Sequence, residues 1–110
     1  MFASNDDMAL GVMAEALRLG LGVPAELSIA GFDDSPGAAL VYPPLTTVRQ
    51  PLEEMARLAV DLLITPGEQE AEAADRVMAH RLVVRGSTAK RPRGAAPAVA
   101  EGAANAMPQP

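Results

Sequence analysis

Two consecutive carboxylates, Asp33 and Asp34, are the residues best suited to chemistry. They end the apolar run LSIAGFDD, Leu27 to Asp34. A short apolar run that stops at carboxylates is the pattern of a buried strand whose carboxyl end opens onto solvent. Ligands of open α/β sheets bind beyond the carboxyl ends of strands, which makes Asp33 a candidate ligand-contacting acid. The competing reading is that Asp33 and Asp34 cap the turn or helix starting at Ser35-Pro36. One aspartate can do each job.

Little else points to catalysis. Glu15 supplies another carboxylate, but no nucleophile–base pair, Gly-rich phosphate loop or metal cluster accompanies it. The chain has no cysteine and one histidine, His80, which excludes thiol chemistry, disulfides and a His-based metal cluster. The glycines of Gly20-Leu21-Gly22 follow a helix instead of preceding one, so they are no dinucleotide fingerprint. No catalytic residue, cofactor or metal is expected, and the chain does not read as an enzyme. Its net charge of −5 gives it no nucleic-acid footprint of its own. No apolar run is long enough to span a bilayer, and MFASNDD lacks the basic and apolar regions of a secretory signal, so no membrane partner is expected and a cytoplasmic location is the default.

The elements that must position these residues follow from periodicity. The 110 residues suffice for one small domain with its own core, built mainly from Ala, Leu, Val and Met. Phe2-Ala3-Ser4 looks like the end of a strand, which predicts that the chain begins inside a fold. Asn5 or Asp6 can cap a helix running to about Leu19 and stopping at Gly20. Apart from a narrow stripe of Asp7, Gly11, Glu15 and Arg18, that helix is apolar nearly all round, so burial on more than one side is expected, against another subunit or inside a larger domain. The strand Leu27–Phe32 completes a βαβ unit, hence a parallel sheet. A short helix over Ser35–Val41, a break at Tyr42-Pro43-Pro44, and a strand over Leu45–Gln50 come next. A helix then runs from Pro51 to about Ile64, with Leu52, Met55, Ala56, Ala59 and Leu63 at helical spacing and Glu53 and Arg57 at i,i+4. Thr65–Asp75 reads as loop and Val77–Arg85 as the last strand. From Ala89 onward the chain is rich in Ala and Pro and reads as a disordered tail, residues 89–110.

Several segments, in order and spacing, resemble one family: NDDMALG (Asn5–Gly11), GLGVPAELSIAGFDDSP (Gly20–Pro36), PPLTTVRQP (Pro43–Pro51), EEMARLAVDLL (Glu53–Leu63) and LVVRGST (Leu82–Thr88). The match, from about Phe2 to Thr88, is to the LacI/GalR family of bacterial transcriptional regulators, similar to the lactose, galactose and purine repressors. The resemblance implies an α/β, parallel-sheet, periplasmic-binding-protein-like (type I) lobe, incomplete in this chain. Residues 1–88 would be a partial effector-binding and dimerisation domain. Residues 1–49 and 79–88 would belong to its C-terminal lobe, and residues 50–78 would make an excursion into a mostly missing N-terminal lobe. The helix-turn-helix headpiece would be missing as well. The implied function is effector sensing, of a sugar or nucleobase-like molecule, and homodimerisation within a transcriptional repressor that reaches operator DNA only through that headpiece. The alternative is a lobe of a periplasmic-type sugar- or solute-binding protein.

Residue by residue, the resemblance assigns Asn5, Asp33 and Gln50 to effector binding, and Leu10, Tyr42, Pro43, Pro44 and Leu45 to a dimer interface. Asp34 then reads as a cap. The helix after Pro51 would have an apolar face whose partner lies in the missing lobe, and that face would be either exposed or repacked, with poor stability in either case.

Overall fold

A computed structural model describes residues 1–64 and 77–91. The predicted loop at 65–75 and most of the predicted tail therefore lie outside the described residues.

Asn5 starts the first helix, α1 (Asp6–Arg18), by accepting the Met8 N–H on its side-chain oxygen at 2.8 Å. Asp6 and Asp7 in the first turn complement the positive end of the helix dipole. At the other end Gly20 takes a positive φ of 74°, Gly20 N–H donates to Leu17 O, and Leu21 N–H donates to Ala16 O. This pair of bonds is a Schellman stop, which a residue without a Cβ adopts most easily. The buried positions of α1 are Asp6, Ala9, Met13 and Ala16, a single stripe. Met8 and Leu17 remain exposed, so among the described residues one side of the helix is covered.

Beneath α1, three extended segments run parallel through bridges Phe2–Ala30, Ala30–Thr46 and Asp33–Arg49. The segment Leu27–Phe32 is thus held in the sheet at isolated points instead of as the continuous strand its apolar run predicts. On one side it pairs with Met1–Ala3, through Ala30 N–H to Met1 O and Ala3 N–H to Ala30 O. Next come α2 (Pro36–Leu40), β1 (Thr47–Arg49), α3 (Leu52–Ile64) and β2 (Arg81–Val83). The last strand is shorter than Val77–Arg85 and antiparallel to β1, with Thr47 opposite Val83 and Arg49 opposite Arg81.

The core gathers Ala3, Ala9, Met13, Ile29, Ala38 and Leu45, with Leu10, Val12, Val23, Leu27 and Val41 packed around it. Leu45 is fully buried there. This corrects its assignment to a dimer interface, because its side chain has no surface left for a partner. No residue of α3 is buried, and Leu52, Val60, Leu63 and Ile64 face solvent. The expected Glu53–Arg57 pair forms at 3.2 Å on its polar side.

Candidate functional site

Asp33 and Gln50, 17 residues apart, meet at the carboxyl ends of the parallel segments. Gln50 Nε2 donates to Asp33 Oδ1 at 2.7 Å. The backbone sets this up: Asp33 N–H donates to Val48 O at 2.9 Å, so the end of the LSIAGFDD segment runs alongside β1 and its exit toward Gln50. Among the described residues nothing bonds Asp33 Oδ2, which leaves an acceptor beside the amide. A recess of about 170 Å³ lies next to the pair, lined by Phe32, Gln50, Pro51, Met55, Met78 and His80. A carboxylate and an amide side by side accept and donate at once, as a hydroxyl-bearing ligand requires.

Asn5, the third predicted contact, is not joined to this pair. Its Oδ1 caps α1, and no hydrogen bond links it to Asp33 or Gln50 among the described residues. Its neighbour Asp6 does reach the segment, through an Asp6 N–H bond to Phe32 O at 2.9 Å.

Asp34 is not a cap. Ser35 holds the N-cap position of α2, without a side-chain capping bond. The Asp34 carboxylate is only 3% exposed and sits between two guanidinium groups. Arg85 Nη2 donates to Oδ1 at 2.6 Å, and Arg49 donates to Oδ2 through Nε and pairs with it through Nη2. Burial on its own would raise the Asp34 pKa. The hydrogen bonds and charges of Arg85 and Arg49 outweigh it and hold the carboxyl below its ordinary value.

A second buried carboxylate supports the site from below. Asp6 accepts from the Thr47 hydroxyl at 2.6 Å and from the Ser35 N–H at 2.7 Å. Sequence reasoning gave Asp6 only a capping role and passed over Thr47, Arg49 and Arg85. Arg85 alone left a signal, a charge interrupting the apolar strand LVVRG, because a cation there needs a partner.

The residues assigned to dimerisation fall in different surroundings. Leu10, Tyr42 and Pro43 line an apolar recess of about 410 Å³ together with Met13, Leu17 and Val41. Tyr42 is 93% exposed. Pro43 and Pro44 are half-buried and lie beside Gly86.

These features define part of an α/β fold of the periplasmic-binding-protein-like type, and comparison with known proteins agrees. Residues 1–88 match the family model described as periplasmic binding protein-like domain. The chain therefore belongs to the periplasmic binding protein-like domain family, in the form found in LacI-type transcriptional regulators. It is 48% identical over 90 residues to the HTH-type transcriptional regulator MalR of Streptomyces coelicolor, covering 81% of this chain and 26% of that protein. It is 42% identical over 93 residues to the HTH-type transcriptional repressor CytR of Escherichia coli K12, covering 84% of this chain and 27% of CytR. Among solved structures, the lac repressor dimer bound to operator and the anti-inducer ONPF superposes with a TM-score of 0.69 at 34% identity, over 80% of this chain and 31% of that one. The chain thus spans about a quarter of the length of these curated relatives. No helix among the described residues is long and apolar enough to cross a membrane.

Proposed function

We propose that the chain is the effector-sensing and dimerising section of a LacI-type repressor, corresponding to the C-terminal part of its effector-binding core. The observation that carries this reading is the Asp33–Gln50 bond at the carboxyl ends of the parallel segments, with one Asp33 oxygen still open to a ligand among the described residues. The effector class that suits it is a polyhydroxylated or nucleobase-like small molecule. Its hydroxyl or ring N–H groups would donate to Asp33, while Gln50 offers a donor and an acceptor. A second lobe outside this chain would supply the opposite wall. Closure of the two lobes on effector would shift the protein between conformations that hold or release operator DNA. The apolar recess at Leu10, Leu17, Val41 and Tyr42 supports a homodimer through this face. DNA contact would come from a headpiece outside this sequence, and a cytoplasmic location goes with that role.

The experiment is to read the coding DNA upstream of Met1 and assay the protein it encodes on operator DNA by fluorescence anisotropy, with a panel of mono- and disaccharides and nucleosides. The expected result is an in-frame helix-turn-helix and one effector class that changes operator affinity. Asp33→Asn should abolish the response and leave operator affinity intact. A secretory signal upstream would overturn the repressor reading in favour of solute capture.

A further inference from the structure

We propose that Asp34 is a positioning residue: gripped by Arg49 and Arg85, it fixes the two chain segments whose adjacent residues, Asp33 and Gln50, form the effector-contacting pair. Its bearing on effector rests on the reading above, whereas the clamp itself stands on geometry.

Asp33 and Asp34 are consecutive, and so are Arg49 and Gln50. The Asp34–Arg49 and Asp33–Gln50 bonds are therefore neighbouring rungs between the same two segments. The aspartates need such ties. Asp33 has φ of 113° and Asp34 φ of 56°, left-handed conformations that non-glycine residues keep only when their surroundings hold them. Backbone support is thin, an Asp33 N–H bond to Val48 O and a 3.3 Å contact from Asp34 N–H to the Thr47 hydroxyl.

Arg85 ties in a third segment. Besides Asp34 it donates through Nη1 to Leu45 O at 2.9 Å, and its own N–H donates to the Thr46 hydroxyl at 2.9 Å. Asp34 thereby joins the segment that leaves toward α3 and the one that returns from β2. It also offsets a like-charge contact, since Arg49 lies opposite Arg81 in the β1–β2 register. A carboxylate this buried, with both oxygens bonded to cations, has one low-energy placement, and the backbone on either side inherits it.

The test is ¹⁵N NMR on the 110-residue chain, reading the Gln50 side-chain amide and hydrogen exchange at the Asp33 N–H. Two variants are compared with wild type: Asp34→Asn, and Arg49→Gln, a milder change because Arg49 is half exposed. In both, the Gln50 amide signals should move toward those of a free glutamine. Asp33 N–H exchange should quicken by about tenfold or more beyond whatever smaller change the core Ile29 N–H shows through any loss of overall stability. The clamp is overturned if Gln50 and Asp33 keep their wild-type signals, or if Ile29 loosens in parallel, which would mark a role in stability alone. Unfolding of both variants also counts against it, since a positioning residue leaves the core folded. No effector enters this measurement. Survival of the effector response in Asp33→Asn alongside a lost Gln50 signal in Asp34→Asn would refute the effector reading and keep the clamp.

Discussion

The Thr47 hydroxyl donates to Asp6 Oδ1 at 2.6 Å across 41 residues of chain, and both side chains are shut off from water. This bond fastens the first turn of α1 to the start of β1. Asp6 uses its other oxygen for the Ser35 N–H, so a single carboxylate fixes three segments around the site. Asp6→Ala leaves the buried Thr47 hydroxyl and the part-buried Ser35 N–H without their acceptor and should cost about 2–4 kcal/mol. Thr47→Val leaves Asp6 Oδ1 unpaired and should cost about 1–3 kcal/mol. Urea unfolding reads both as lower midpoints at an unchanged slope, and wild-type midpoints would remove Asp6 from this role.

Gly31 belongs to the same junction. A Cβ there would run into Asp6 Oδ1 and come within 3.2 Å of Asp6 Cα and 3.1 Å of Leu45 Cδ2. Leu45 can shift, but the Asp6 backbone is held by its bond to Phe32 O. Gly31→Ala should therefore destabilise by about 1–3 kcal/mol. Gly11, in the middle of α1, has open space around its Cβ position, so Gly11→Ala should stabilise by about 0.5–1 kcal/mol. Thermal melts of the two variants should move in opposite directions, and a shared direction would mean that contacts at Gly31 do not decide.

What could be read from the sequence is what local chemistry encodes. Asn5 and Gly20 mark the two ends of α1 because capping depends on residues a few positions apart. Asp33 stands out by its place at a strand end and Gln50 by a family resemblance, but nothing local foretells the bond between them. Asp34 was misassigned because its partners, Arg49 and Arg85, are 15 and 51 residues away, and no periodicity links them. Leu45 was misplaced for a related reason. It heads the expected strand Leu45–Gln50 and was given to the interface only by the family resemblance, yet its N–H donates to Ala38 O at 2.7 Å and its side chain lies in the core. The strand Leu27–Phe32 has the right composition, but strand pairing depends on neighbours that its own residues do not specify.

The helix α3 should open readily. It has 13 residues, none of them buried, and isolated helices of about 12–15 residues are marginal in water. Hydrogen exchange over Met55–Leu63 should run at least about 100-fold faster than over Ala9–Ala16 of α1. Core-like protection in a monomer would show that its exposed apolar face is covered within this chain.

The face around Tyr42 should govern self-association if the proposed homodimer forms there. Leu17 and Tyr42 are 79% and 93% exposed beside the apolar recess. A carboxylate introduced at either position places a charge in the contact, where it lacks a partner. Sedimentation velocity should show Leu17→Asp and Tyr42→Asp shifted toward monomer by about tenfold or more in dissociation constant, with the core still folded. An unchanged distribution would move the dimer face elsewhere.

Acid should loosen the site through Asp34. Burial opposes its ionisation, but Arg85 and Arg49 prevail and its folded pKa lies below the ordinary value. A carboxyl depressed in the folded state contributes stability that is fully present above the unfolded pKa and lost as pH falls through the folded one. The urea midpoint should thus fall on acidification below about pH 4. Asp34→Asn should start lower at neutral pH and show a shallower acid limb, because its side chain no longer titrates. Salt sharpens the distinction. Arg49 is half exposed and Arg85 largely covered, so added salt should weaken the Arg49 rung first. Equal acid limbs in wild type and Asp34→Asn would mean that other carboxylates carry the acid sensitivity and that the two arginines do not hold Asp34 as the structure places them.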